Sequence, residues 1–165
     1  FVAAGDGPGA YLAWAALADG HAFAMEHAPL DACLDRLDRL EARFPGPLPV
    51  DLAVSVAASA LTAYVTRRPS DPKLDGWLAR VEPLSATAPR IRVKAAAALL
   101  LHDINCSGRL ARGGQILDEV ALNLPEADPA AVILLATAPS SRAQRSALRC
   151  GVSVGRWGAD CSLIF

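Results

Sequence analysis

Three histidines (His21, His27, His102) and four cysteines (Cys33, Cys106, Cys150, Cys161) are the side chains of this sequence best suited to metal binding or nucleophilic chemistry. The tightest set is His102-Asp103 with Cys106 four residues beyond the histidine. At one helix end, an imidazole beside a thiol can seat a metal or lower the thiol pKa. A plainer account weighs more: a histidine in a last helical turn interacts favourably with the helix dipole, and a cysteine in an alanine-rich helix packs as a small apolar group. His21 and His27 are six apart, on different faces of a helix, so they do not share a metal. Gly5-Asp-Gly-Pro-Gly9 precedes a helix, where phosphate can bind, but it follows no strand and lacks Gly-Lys-Ser/Thr. Neither His-Glu-x-x-His nor Cys-x-x-Cys occurs. The expected sets of catalytic, cofactor-binding and metal-binding residues are therefore each none, and the chain reads as non-enzymatic.

The charged and aromatic candidates have similarly plain readings. Asp35, Asp38 and Glu41 form a run of carboxylates, but each is interleaved with arginine, as on a solvated helix face. Trp14 and Trp77 read as anchors of helix packing. The arginines near the C-terminus could meet phosphate, yet no interleaved aromatics accompany them.

These residues must be positioned by helices. The 165-residue chain is 53% hydrophobic and 20% charged, enough for a real core, and alanine and leucine supply most of it, with only three Trp, two Tyr and four Phe. That composition predicts an all-α chain. A formal net charge of −1 implies neither a nucleic-acid partner nor a membrane surface. The longest apolar run, residues 93–101, is broken by Lys94 and too short to span a bilayer. The chain starts without methionine and without a basic segment before an apolar one, so it reads as a fragment with no signal peptide. Widely spaced cysteines predict reduced thiols and a cytoplasmic location.

Residues 29–68 organise the pattern. Leu30, Leu34, Leu37, Leu40 and Phe44 recur at three- or four-residue spacing and line one helical face. Asp31, Asp35, Arg36, Asp38, Arg39, Glu41 and Arg43 are expected to point to water, with Asp35 pairing to Arg39 one turn on. The corner Pro45-Gly-Pro-Leu-Pro49 cannot continue a helix. Residues 50–66 are then apolar nearly all round, a helix that must be covered on several sides. Before this unit, residues 10–26 predict a buried helix, with Tyr11, Trp14, Leu17 and Ala18 at helical spacing and Phe23 and Met25 later, in which Gly20 marks a kink or a close neighbouring backbone. After it, Asp71 caps a short helix with Leu74, Trp77, Leu78 and Val81 on one face until Pro83. Pro89 opens a helix over residues 90–104, and residues 105–108 form a turn. An amphipathic segment with Leu110, Leu117 and Leu124 follows, weakened at Gly113-Gly114, and Asp128-Pro129 caps a last apolar run over residues 130–138.

The buried-type helices begin at Gly9, Pro49, Pro89 and Pro129, forty residues apart, with a more amphipathic helix between each pair. Ala18, Ala58, Ala98 and Ala138 recur at one place in all four. Such a period predicts an α-solenoid of antiparallel helix hairpins, tetratricopeptide-like, whose hairpins stack and present a concave binding surface. The expected organisation is a linker over residues 1–9, a helical repeat domain over residues 10–138 and an irregular basic tail over residues 139–165. The tail holds Arg142, Arg145, Arg149 and Arg156 against Asp160 and sustains no helical stripe, so it is expected to be poorly ordered or non-native.

The runs Ala10-Tyr-Leu-Ala-Trp-Ala-Ala-Leu-Ala-Asp19, Leu34-Asp-Arg-Leu-Asp-Arg-Leu-Glu-Ala-Arg-Phe-Pro45 and Arg67-Arg-Pro-Ser-Asp-Pro-Lys-Leu-Asp-Gly-Trp-Leu-Ala-Arg-Val-Glu82, followed by Gly108-Arg-Leu-Ala-Arg112, carry a resemblance. Over residues 10–128 the chain resembles the tetratricopeptide-like helical region of large bacterial ATP-dependent transcriptional regulators, similar to the maltose-regulon activator and to regulators with a bacterial transcriptional activation domain. The resemblance implies a sensor and interaction segment, joined in its parent chain to a nucleotide-hydrolysing module and a DNA-binding module. Its expected partner is a protein or small effector on the concave face, with no direct nucleic-acid contact, no membrane and no cofactor. The alternative is a scaffold or oligomerisation module without an effector.

Overall fold

The computed structural model describes residues 1–81, 89–108 and 115. The Pro83 stop, the segment around Gly113-Gly114, the apolar run at 130–138 and the tail at 139–165 lie outside the described residues. Five α-helices, and no strand, occur among the described residues: α1 (Gly7–Phe23), α2 (His27–Arg43), α3 (Val50–Arg67), α4 (Lys73–Val81) and α5 (Pro89–His102). None of them is long and apolar enough to cross a membrane.

Helix α1 begins three residues before the expected boundary at residue 10, because the Asp6 carboxylate accepts the Gly9 N–H at 2.9 Å and Pro8 suits the first turn. It also ends earlier than residue 26, it buries Tyr11, Trp14 and Ala18 but leaves Leu17 and Phe23 exposed, as is Met25 beyond its end, and it runs through Gly20, against which no described neighbouring backbone packs. Met25 takes a left-handed φ of 57°, and the Glu26 N–H returns to the His21 carbonyl at 2.9 Å, closing a short turn into α2. Along α2 the leucine stripe behaves as its spacing predicts: Leu30, Leu34, Leu37 and Leu40 are buried. Phe44 ends the helix half-buried, and the proline corner follows.

Helix α3 is the centre of the body. Every residue from 54 to 65 is buried, because α1, α2, α4 and α5 all pack against it. Its hydroxyls turn inward to its own backbone: Ser59 Oγ donates to the Ser55 carbonyl at 3.1 Å and Thr66 Oγ1 to the Thr62 carbonyl at 2.8 Å. Asp71 Oδ1 accepts the Lys73 N–H at 2.9 Å and starts α4, which buries Leu74, Trp77 and Val81. Helix α5 buries Val93 and residues 95–100 and continues into a π-helical turn, Asp103–Ser107, closed by Gly108 at φ 66°.

The acidic residues of α2 do not simply face water. Asp31 pairs with Arg67 at 2.6 Å, Asp35 with Arg68 at 2.8 Å, Asp38 with Lys73 at 2.7 Å and Glu41 with Arg80 at 3.0 Å. Asp35 thus bonds to Arg68 at the end of α3 rather than to Arg39, its neighbour one turn on, because the packing of α2 against α3 brings the Arg68 guanidinium to it. Each half-exposed pair is worth about 0–1 kcal/mol. The row acts mainly on register, setting α2 against the end of α3 and the start of α4.

Candidate functional site

Three elements distant in sequence leave a cleft of about 520 Å³ where the proline corner stands off α4. That size lies in the range of small-ligand sites, about 300–1,000 Å³. Its walls are aromatic: Tyr11 from α1, Phe44 from the end of α2 and Trp77 from α4, with Val56 of α3 on the same lining. The corner creates the opening because Pro45, Pro47 and Pro49 cannot extend α2 towards α4.

Local contacts hold each wall. The Tyr11 hydroxyl donates to the Phe44 carbonyl at 3.3 Å, tying α1 to the corner. Burial pushes the Tyr11 phenol above its ordinary pKa, the Glu41 carboxylate raises it further and Arg80 opposes, so the group stays a neutral donor near pH 7. The Phe44 ring lies 3.2 Å from where a Cβ on Gly7 would sit, so a larger residue there would push the ring back by a few tenths of an ångström. Arg80 lies over the Trp77 ring, 4.2 Å from its centroid, and bonds to Glu41 at 3.0 Å. A half-open cleft of mixed lining, with three aromatic rings and with Arg80 and Glu41 in its wall, suits binding of a compact apolar group with a polar end.

The residues singled out from the sequence lie elsewhere. His102 and Asp103 are buried together, with Nδ1 and Oδ1 3.3 Å apart, while Cys106 is exposed in the π-helical turn. Partial burial pushes the Cys106 thiol above its usual pKa, opposite to the direction an activated nucleophile needs. His21 bonds to Glu26 at 2.6 Å in the α1–α2 turn, and His27 is exposed at the start of α2. Among the described residues no three His, Cys, Asp or Glu side chains are grouped to hold a metal. In Gly5-Asp-Gly-Pro-Gly9 the Gly9 amide is already taken by Asp6. Trp14 is a core residue whose Nε1 donates to the Cys33 carbonyl at 2.7 Å, and Cys33 is buried.

Trp77 is buried as expected, but it also walls the cleft. Periodicity placed Tyr11 and Phe44 on packing faces and left Arg80 unremarked. The available signal was the pairing of an aromatic residue before a proline corner with Trp77 and Arg80 one helical turn apart. Against the expectation that no catalytic motif occurs, Gly151-Val-Ser153-Val-Gly155 has the Gly-x-Ser-x-Gly spacing of a nucleophile elbow. Such a spacing acts only on a strand-to-helix turn, and it lies outside the described residues. Comparison of the chain with protein-family models, with curated proteins and with solved structures finds no significant match.

Proposed function

We propose that the chain is a non-enzymatic helical-repeat interaction segment, an α-solenoid of antiparallel hairpins with a period of about forty residues, that senses a small effector or a partner's apolar side chain in the Tyr11–Phe44–Trp77 cleft. The cleft is the observation that carries this reading. Hairpin packing is supported by the ends that meet: Tyr11 early in α1 reaches Phe44 after α2, and Asp31 early in α2 pairs with Arg67 at the end of α3. The repeat is supported by Pro49 and Pro89, which open α3 and α5, and by the packing of α3 against both α1 and α5. On the resemblance of residues 10–128, the parent chain is a bacterial transcriptional or signalling regulator with adjoining ATPase and DNA-binding modules.

The test titrates the protein with indole-3-acetate and with tryptamine, two compact aromatic probes of opposite charge, following tryptophan fluorescence and backbone amide NMR shifts. Saturable binding that shifts amides around Tyr11, Phe44 and Trp77 is expected, weakened by Arg80→Gln for the acid or Glu41→Gln for the amine. Absence of saturable binding by both probes, or shifts confined to other surfaces, refutes the cleft as the site. A scaffold without an effector is favoured by a different observation, the exposure of Leu12 and Phe23 on α1. Light scattering discriminates: mass that rises with concentration and ignores both probes supports the scaffold.

A further inference from the structure

Helix α1 is as apolar around its circumference as α3, yet only one side of it is covered. Leu12 is 59% exposed, Leu17 46% and Phe23 57%, and Ala16 and Gly20 lie exposed between them. Forty positions on, Val56, Ala57, Ala60 and Ala63 stand where Ala16, Leu17, Gly20 and Phe23 do, and all four are buried. The same helical face is an interface in α3 and bare in α1.

The bare face borders a row of cations. At about 3.6 residues per turn, Arg36 and Arg43 fall across the leucine stripe from the α2 carboxylate row, and Arg39 lies on the outer face between them and Asp35. Arg36 and Arg39 are exposed, with no carboxylate at ion-pair distance among the described residues. The two features meet at the N-terminal end of α1. Arg43 Nη2 donates to the Val2 carbonyl at 3.1 Å, and Phe1, one residue before, lies 2.5 Å from where a Cβ on Gly9 of α1 would sit. On its covered flank α2 shows how such a surface is met: its carboxylates reach Arg67, Arg68, Lys73 and Arg80 of the elements that follow.

We propose that the Leu12–Phe23 face of α1 and the Arg36–Arg39 flank of α2 together dock an amphipathic helix of the α2 kind, with a leucine row and carboxylates at i, i+4 and i+7 along one edge. This rests on the repeat reading. The leucine row covers Leu12, Leu17 and Phe23, and the carboxylates pair with Arg36 and Arg39. Charge selects the occupant: an antiparallel pairing of two copies through this face sets arginine flanks near each other, whereas an acidic helix edge neutralises Arg36 and Arg39.

The probe is a hydrocarbon-stapled, fluorescein-labelled peptide of residues 27–43, stapled because an isolated helix of that length is marginal in water. It is titrated into the full chain by fluorescence anisotropy. Saturable binding is expected, with Leu12→Asp/Phe23→Asp abolishing it and Arg36→Glu/Arg39→Glu weakening it about tenfold. A peptide carrying Asp31→Arg, Asp35→Arg and Asp38→Arg recovers affinity for the Arg36→Glu/Arg39→Glu protein. All four substituted protein residues are exposed, and far-UV circular dichroism checks that each variant is folded. Absence of binding, or binding indifferent to these substitutions, overturns the proposal. So does concentration-dependent mass of the chain alone that Leu12→Asp abolishes, which assigns the face to a second copy. Arg80→Gln leaves peptide binding unchanged while weakening indole-3-acetate, so failure of the cleft and failure of this face are read separately.

Discussion

The same substitution at two glycines of α1 is expected to act with opposite signs. At Gly20 an added Cβ meets nothing within 4 Å, and the residue is exposed within regular helix. Gly20→Ala therefore restricts the unfolded chain without a folded-state penalty and stabilises by about 0.5–1 kcal/mol, or about 1–4 °C in Tm. At Gly9 an added Cβ falls on the Asp6 carboxylate and 2.5 Å from Phe1 Cδ1. The carboxylate must leave the Gly9 amide, and loss of an N-cap costs about 0.5–2 kcal/mol. With Phe1 displaced as well, these losses outweigh the gain from alanine, and Gly9→Ala nets a loss of about 0.5 kcal/mol. The two variants should differ by about 1–1.5 kcal/mol in urea unfolding followed by far-UV circular dichroism, with unchanged m-values. Destabilisation by Gly20→Ala refutes the reasoning, because a neighbour must then press on that face. Shifts of the same sign in both variants refute the cap assignment.

In the core, Leu37 is 0% exposed, and Leu37→Ala should cost about 2–5 kcal/mol by urea unfolding. Leu12→Ala, on the bare face, should stay within about 0.5 kcal/mol. Bonds from Arg67 hold the Asp31 carboxyl below its ordinary value of 3.8. The folded state then binds fewer protons than the unfolded one in that window, so stability rises with pH there. The contribution is fully present above that ordinary value and is lost as pH falls through the lowered folded one. Asp31→Asn should flatten the acid limb of the pH–stability curve, and an unchanged limb refutes the pairing. With Cys150 and Cys161 replaced by serine, one thiol, Cys106, should react with an aromatic disulfide on mixing, no faster than an unactivated cysteine, and Cys33 only on unfolding. Faster reaction at Cys106 would revive a catalytic reading of His102 and Cys106.

Local chemistry was legible in the sequence. The leucine spacing from Leu30 to Leu40, the prolines at the corner and the Asp71 cap act within one or two turns, so they determined the α2 stripe, the break before α3 and the start of α4. The apolar circumference of α3 likewise implied cover on several sides. Helix ends were less legible, because the Asp6 cap and the left-handed Met25 depend on single side chains and torsions outside the periodic pattern. Tertiary structure alone decided which faces meet. The apolar pattern of residues 10–26 predicted a buried helix, yet no described neighbour covers Leu17 and Phe23, and the same kind of pattern sets Asp35 near Arg39 while folding brings Arg68 within 2.8 Å. The cleft belongs to the same class. Tyr11, Phe44 and Trp77 lie on three elements, and only the packing of α1, α2 and α4 around α3 puts their rings on one lining.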